Sequence, residues 1–232
     1  MHSPRRVIWA WLPILLAPVV ALVVSPLAAA QDAPRAQIRF TYENPKLQPQ
    51  KYVVTVDEDG SGHFLSEVGP PVKNDADNVP VGPQDRPIHI SRELRQEIFA
   101  VARKNKLFAI ACDGREKNVA FQGSKTLEYE GPEGKGSCTY NWSKSSQIEK
   151  LTDQFESVAT TLEEGAKLQR QYEHGRLSLD MEMEFLEQMV HEGRAIEVEN
   201  IAPILTALAG DEAILQRVQR RARALLQGVK DD

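Results

Sequence analysis

The chain has 232 residues, with 28 Lys+Arg against 33 Asp+Glu, a formal net charge of −5 and a hydrophobic fraction of 41%. A net acidic surface repels the phosphate backbone, which argues against a general nucleic-acid binder. The length allows one domain of moderate size or two small ones, with enough apolar sequence to bury a core.

Arg5 and Arg6 precede an apolar run from Val7 to Val24, broken only by Pro13 and Pro18, and the triplet Ala28-Ala29-Ala30 follows. Basic, apolar and small-residue regions in that order predict a secretory signal peptide over 1–30, cleaved after Ala30. The run approaches the length of a spanning helix, but its two prolines and the A-x-A site favour cleavage over an anchor. No cysteine stands near the cleavage site, which argues against a lipoprotein. Cleavage removes two arginines and no acid, so 26 basic residues face 33 acidic ones, a net charge of −7. The expected product is a periplasmic or secreted protein with no stable membrane span.

After a short lead at 31–36, Ile38, Phe40 and Tyr42 alternate with polar residues, as in a strand with one buried face. Tyr52–Val56 and His63–Val68 flank a polar, glycine-containing turn and predict a hairpin. Residues 69–87 hold five prolines and read as a long loop. Ile88–Ile90 is expected as a brief strand, and Ser91 as the N-cap of an amphipathic helix over 92–106.

Leu107–Ile110 reads as further sheet, Val119–Phe121 as a short strand, and 126–130 with 137–142 as a second hairpin around Gly131–Gly136. From Ser146 the period changes: Ile148, Leu151, Phe155, Val158 and Leu162 form one helical seam, which Gly165 interrupts. Three further amphipathic helices follow, the last capped by Asp211.

The expected fold is α+β. An antiparallel sheet of about five short strands packs on the helix over 92–106 and the long helix from 146. The expected domains are 31–175, ending in the long helix, and a small C-terminal helical unit over 176–232.

Only Cys112 and Cys138 occur, and in an exported chain an even count reads as a disulfide. Closing their loop of about 27 residues would stabilise the fold by about 3–4 kcal/mol. Asp57, Asp59 and Ser61, with glycine at the sixth position of their run, faintly resemble a calcium loop, but the closing carboxylate is missing and a hairpin turn uses the same residues. The four mature-chain histidines are scattered, none four residues from another, so no zinc-protease helix is present. The run Gly131–Ser137 lacks the Lys-Ser/Thr dipeptide of a phosphate loop, and no G-x-S-x-G occurs. Arg217, Arg220, Arg221 and Arg223 cluster on the last helix and are a candidate contact surface for an acidic partner.

These features point to an exported, non-enzymatic envelope protein that acts as a binding or structural interaction module, without cofactor or metal. The alternative is an exported hydrolase or small-ligand-binding protein with a cleft near loop 69–87. A buried histidine paired with a carboxylate beside that loop would favour it.

Overall fold

A computed structural model describes residues 35–69, 81–114 and 119–231, the side chains of 229–231 excepted. The export signal with its cleavage after Ala30, and residues 70–80 of the loop, lie outside the described residues.

Period-two alternation builds the sheet. Ile38, Phe40 and Tyr42 of β1 (Gln37–Glu43), Tyr52, Val54 and Val56 of β2 (Lys51–Asp57) and Phe64 of β3 (Ser61–Glu67) are buried on one face. β4 (Gln84–His89) pairs with β3, while β5 (Ser124–Gly131) and β6 (Gly134–Tyr140) extend the other side. The result is a six-stranded antiparallel sheet in the order β4-β3-β2-β1-β5-β6. The two expected hairpins are β2–β3 and β5–β6. β4 is longer than the brief strand expected at Ile88–Ile90, because residues 84–87, read as loop, also pair with β3, while Ile90 falls just outside it.

α1 (Arg92–Lys104) starts where the Leu94 N–H donates to Ser91 Oγ, the expected cap. Its buried Leu94, Ile98 and Phe99 share one core with the sheet and with Ile148, Leu151, Phe155, Val158 and Leu162 of α2 (Ser146–His174). Phe155 stacks on Phe40 with ring centroids 5.0 Å apart. The opposite face leaves Arg39, Glu43, Glu128 and Thr139 in water, as a one-sided antiparallel sheet does.

The apolar run at 107–110 does not form a strand. Lys106, Leu107 and Phe108 take φ of 52°, 56° and 65°, a single left-handed turn costing roughly 1–2 kcal/mol per residue. Gly136 of β6 makes room for it, because a Cβ there would stand 2.1 Å from the Leu107 carbonyl oxygen. The Cys112–Cys138 disulfide, Cα atoms 5.8 Å apart, ties the chain down just beyond the turn. Val119–Phe121 is also not a strand, and Phe121 stands exposed.

α3 (Leu179–His191), α4 (Ala202–Gly210) and α5 (Gln216–Asp231) enclose a second cluster that includes Leu168, Met183, Leu186, Leu205, Leu208 and Val218. Asp211 does not cap α5. Its carboxylate accepts from the Ala213 N–H and the Tyr172 hydroxyl. α2 runs unbroken through Gly165 into this second core. A Cβ on Gly165 would lie 2.2 Å from Ile201 Cγ2, so the missing side chain lets the 198–201 turn lie against α2. The Thr161 hydroxyl donates to the Ile196 carbonyl at 2.6 Å across the same seam. Among the described residues, no helix is long and apolar enough to cross a membrane.

Candidate functional site

The calcium-loop residues form a turn. Asp59 Oδ1 accepts from the Ser61 N–H at 2.9 Å, and its other oxygen pairs with Arg35 at 2.5 Å. Asp57 accepts from Gln37 Nε2 at 2.8 Å, and from the Ser61 hydroxyl at 3.4 Å. The Ser61 hydroxyl also donates to Asp59 Oδ1, and this bond first, then the Ser61 N–H, holds the Asp59 carboxyl below the usual range. The loop over Gly131–Ser137 is the β5–β6 turn with the first half of β6.

Three of the four arginines of α5 are held by neighbouring helices, although only Arg221 is itself half-buried. Arg221 Nη1, Nη2 and Nε meet Asp180 at 2.7 Å, Glu184 at 2.9 Å and Glu187 at 3.1 Å, all on α3. Arg217 adds a second contact to Asp180 at 2.6 Å, and Arg223 donates to the Ala209 carbonyl at 2.7 Å. Arg220 remains exposed. The structure thus brings three of the four together as tethers of α5 to its neighbours.

Groups able to do acid–base or nucleophilic work are engaged in the fold or stand in the open. His63 Nε2 lies 2.6 Å from Asp85 Oδ1 beside the proline-rich loop, but the two side chains are 42% and 76% exposed. Ser91 donates its hydroxyl to Glu197 Oε1 at 2.6 Å and its N–H to Oε2 at 2.7 Å, while its oxygen caps α1. Glu197 sits at a left-handed φ of 57°, and burial pushes its carboxyl above the usual range. Lys125 is almost fully buried, donates to the Asn141 carbonyl at 3.2 Å and faces Glu156 at 3.8 Å. Among the described residues, no group of three His, Cys, Asp or Glu side chains could hold a metal ion.

Two hollows flank the seam between the cores. One, of about 610 Å³, is lined by Ser91, Glu93, Glu197, Glu199 and the end of α5. The other, of about 470 Å³, lies where the described end of the proline-rich loop, Val81–Gln84, meets α2 and the start of α4. Its apolar wall is Val81, Ala166, Ile201, Pro203 and Ile204. Arg86, Gln169, Arg170 and His174 supply polar groups, with Glu173 at the rim beside His174. Nothing local in the sequence marks this cleft, because it is assembled from three distant segments. The proline-rich loop was the one pointer to it.

A second feature escaped the sequence reading. Leu177, Met181 and Phe185, four residues apart along α3 and the turn before it, are 102%, 68% and 42% exposed. Lys167 Nζ lies 5.9 Å from the Phe185 ring centroid, the one cation over that row among the described residues. No protein-family model matches the chain, and no curated protein matches it.

Proposed function

We propose that this protein is an exported, non-enzymatic binding module of the envelope or extracellular space, engaging a protein partner through the apolar row on α3. The observation that carries this reading is that three large apolar side chains, Leu177 in the turn before α3 and Met181 and Phe185 on it, stand in water four residues apart. The groups that chemistry would need are mostly spent on caps, turns and tethers. The disulfide supports an oxidising compartment, in keeping with cleavage after Ala30.

The test is affinity capture from native envelope extract with the tagged mature chain, run beside a Met181→Ser/Phe185→Ser variant. A stoichiometric partner held by the first and lost by the second supports the reading. A partner held equally by both moves the surface elsewhere, with exposed Arg220 the next residue to change. No partner for either removes the reading.

A second reading, a small-ligand-binding protein, is favoured by the 470 Å³ cleft beside the proline-rich loop. A hydrolase at that position has less support. The His63–Asp85 pair lies open to water, and among the described residues no hydroxyl or thiol hydrogen-bonds to the imidazole.

A further inference from the structure

The 470 Å³ cleft lies within the about 300–1,000 Å³ typical of small-molecule sites. Its two halves differ in chemistry. Ile201, Pro203 and Ile204 give it an apolar wall from the helical unit, and Ala166 continues that wall on α2. Arg86 reaches it from edge strand β4, a half-buried residue whose Nη2 donates to the Asn200 carbonyl at 2.5 Å. Among the described residues that carbonyl is its only hydrogen-bond acceptor, and no carboxylate pairs with it.

A guanidinium has five N–H donors in a planar fork, suited to an oxyanion with two oxygens side by side. A cation half removed from water with one neutral acceptor leaves both donors and charge unspent. Burial, with no opposing acid among the described residues, also holds the Arg86 guanidinium below its usual range. Arg170 lines the same cleft. Glu173, at the rim, has His174 Nε2 3.6 Å from one carboxylate oxygen, and Gln169 donates to the other.

We infer that the cleft binds an amphiphilic anion, its carboxylate or phosphate head on the Arg86 fork and its apolar body against Ile201, Pro203 and Ile204. This rests on the ligand-binding reading of the cleft and is independent of the α3 surface. An apolar body alone would find a wall without a reason for Arg86. An inorganic anion alone would leave the wall unused.

The experiment is calorimetric titration of the mature protein with octanoate, octyl phosphate and octanol, which share one body and differ in the head. Octanoate or octyl phosphate binding about tenfold or more tighter than octanol supports the inference. The relative strength of the two anions identifies the head. Arg86→Gln should bring the anions down to the affinity of octanol. Because Arg86 also braces Asn200, the fold of that variant is checked by thermal melting. Ala166→Phe, which fills the cleft from α2, serves as a second variant and should weaken all three ligands together. Octanol binding as well as the anions do would overturn the anion inference while keeping a ligand cleft. No binding of any of the three would overturn the inference and the ligand reading with it. Anion binding unchanged in both variants would place the site elsewhere and overturn the inference.

Discussion

Asn200 and His89 are joined by a reciprocal pair of hydrogen bonds. The His89 N–H donates to Asn200 Oδ1 at 2.7 Å, and Asn200 Nδ2 donates to the His89 carbonyl at 2.8 Å. A side-chain amide here does the work of a seventh strand, closing the open edge of β4 for one residue. Two positions earlier, on the same outward side of the edge, stands Pro87, which has no N–H to leave unpaired. Replacing Asn200 by Ala removes both bonds and a third, from Nδ2 to the Glu197 carbonyl at 3.1 Å, and should cost about 1–2 kcal/mol in urea denaturation at pH 7. An unchanged midpoint would show that water replaces the amide without loss.

Arg221 meets three carboxylates of α3 at once. Arg221→Ala removes the shared counter-charge of Asp180, Glu184 and Glu187, leaving Asp180 with Arg217 and the two glutamates without their arginine. The expected loss is about 1–2 kcal/mol, smaller at 1 M salt because Glu184 and Glu187 are substantially exposed. A loss that does not change with salt would assign the role of Arg221 to the packing of its stem.

Glu164 is a pH-sensitive position on α2. Burial pushes its carboxyl above the ordinary 4.5, Lys167 opposing, and among the described residues Oε2 has no hydrogen-bond partner. With the folded value raised, its contribution is fully present below the unfolded pKa and is lost as pH rises through the folded one. Glu164→Gln should therefore raise the melting temperature relative to the native protein at pH 7. The gain should shrink as pH falls toward 4.5, where the native residue also becomes neutral. Melting both proteins across that window checks it, and a gain independent of pH would contradict the assignment.

The disulfide spans a sequence separation of 26. Reduction, or the double replacement Cys112→Ser/Cys138→Ser, should cost about 3–4 kcal/mol on the chain-entropy account. In a chain of this size that corresponds to a fall of about 10 °C in Tm. The left-handed turn at Lys106–Phe108 should loosen first, giving faster proteolysis there than in β1 or β2.

Alternation made the central strands legible, because Ile38–Tyr42 and Tyr52–Val56 are buried on one side only. β4 was read short. Gln84, Asp85, Arg86 and Pro87 show no apolar alternation, and an edge strand needs only one neighbour. Leu107–Ile110 reads as sheet because its residues are apolar. Its left-handed turn depends on Gly136, distant in sequence, and leaves no local mark. Gly165 reads locally as a helix breaker, yet Ile201 packing against it makes it part of the helix. The arginines of α5 read as a free contact surface because their carboxylate partners lie on α3, two helices earlier. The cleft shares that difficulty, its walls coming from 81–86, 165–174 and 201–204.

α2, 29 residues and about 44 Å long, supplies a wall to both hydrophobic cores, Leu162 facing the first and Leu168 the second. Its amides between those residues can exchange with solvent only when one core or the other has come apart. Their deuteration rate is therefore a built-in gauge of cooperativity. If it matches the slowest amides of β1 and β2, the protein opens as one body. If it runs ahead of them, the helical unit lifts away first and takes with it the apolar wall of the cleft.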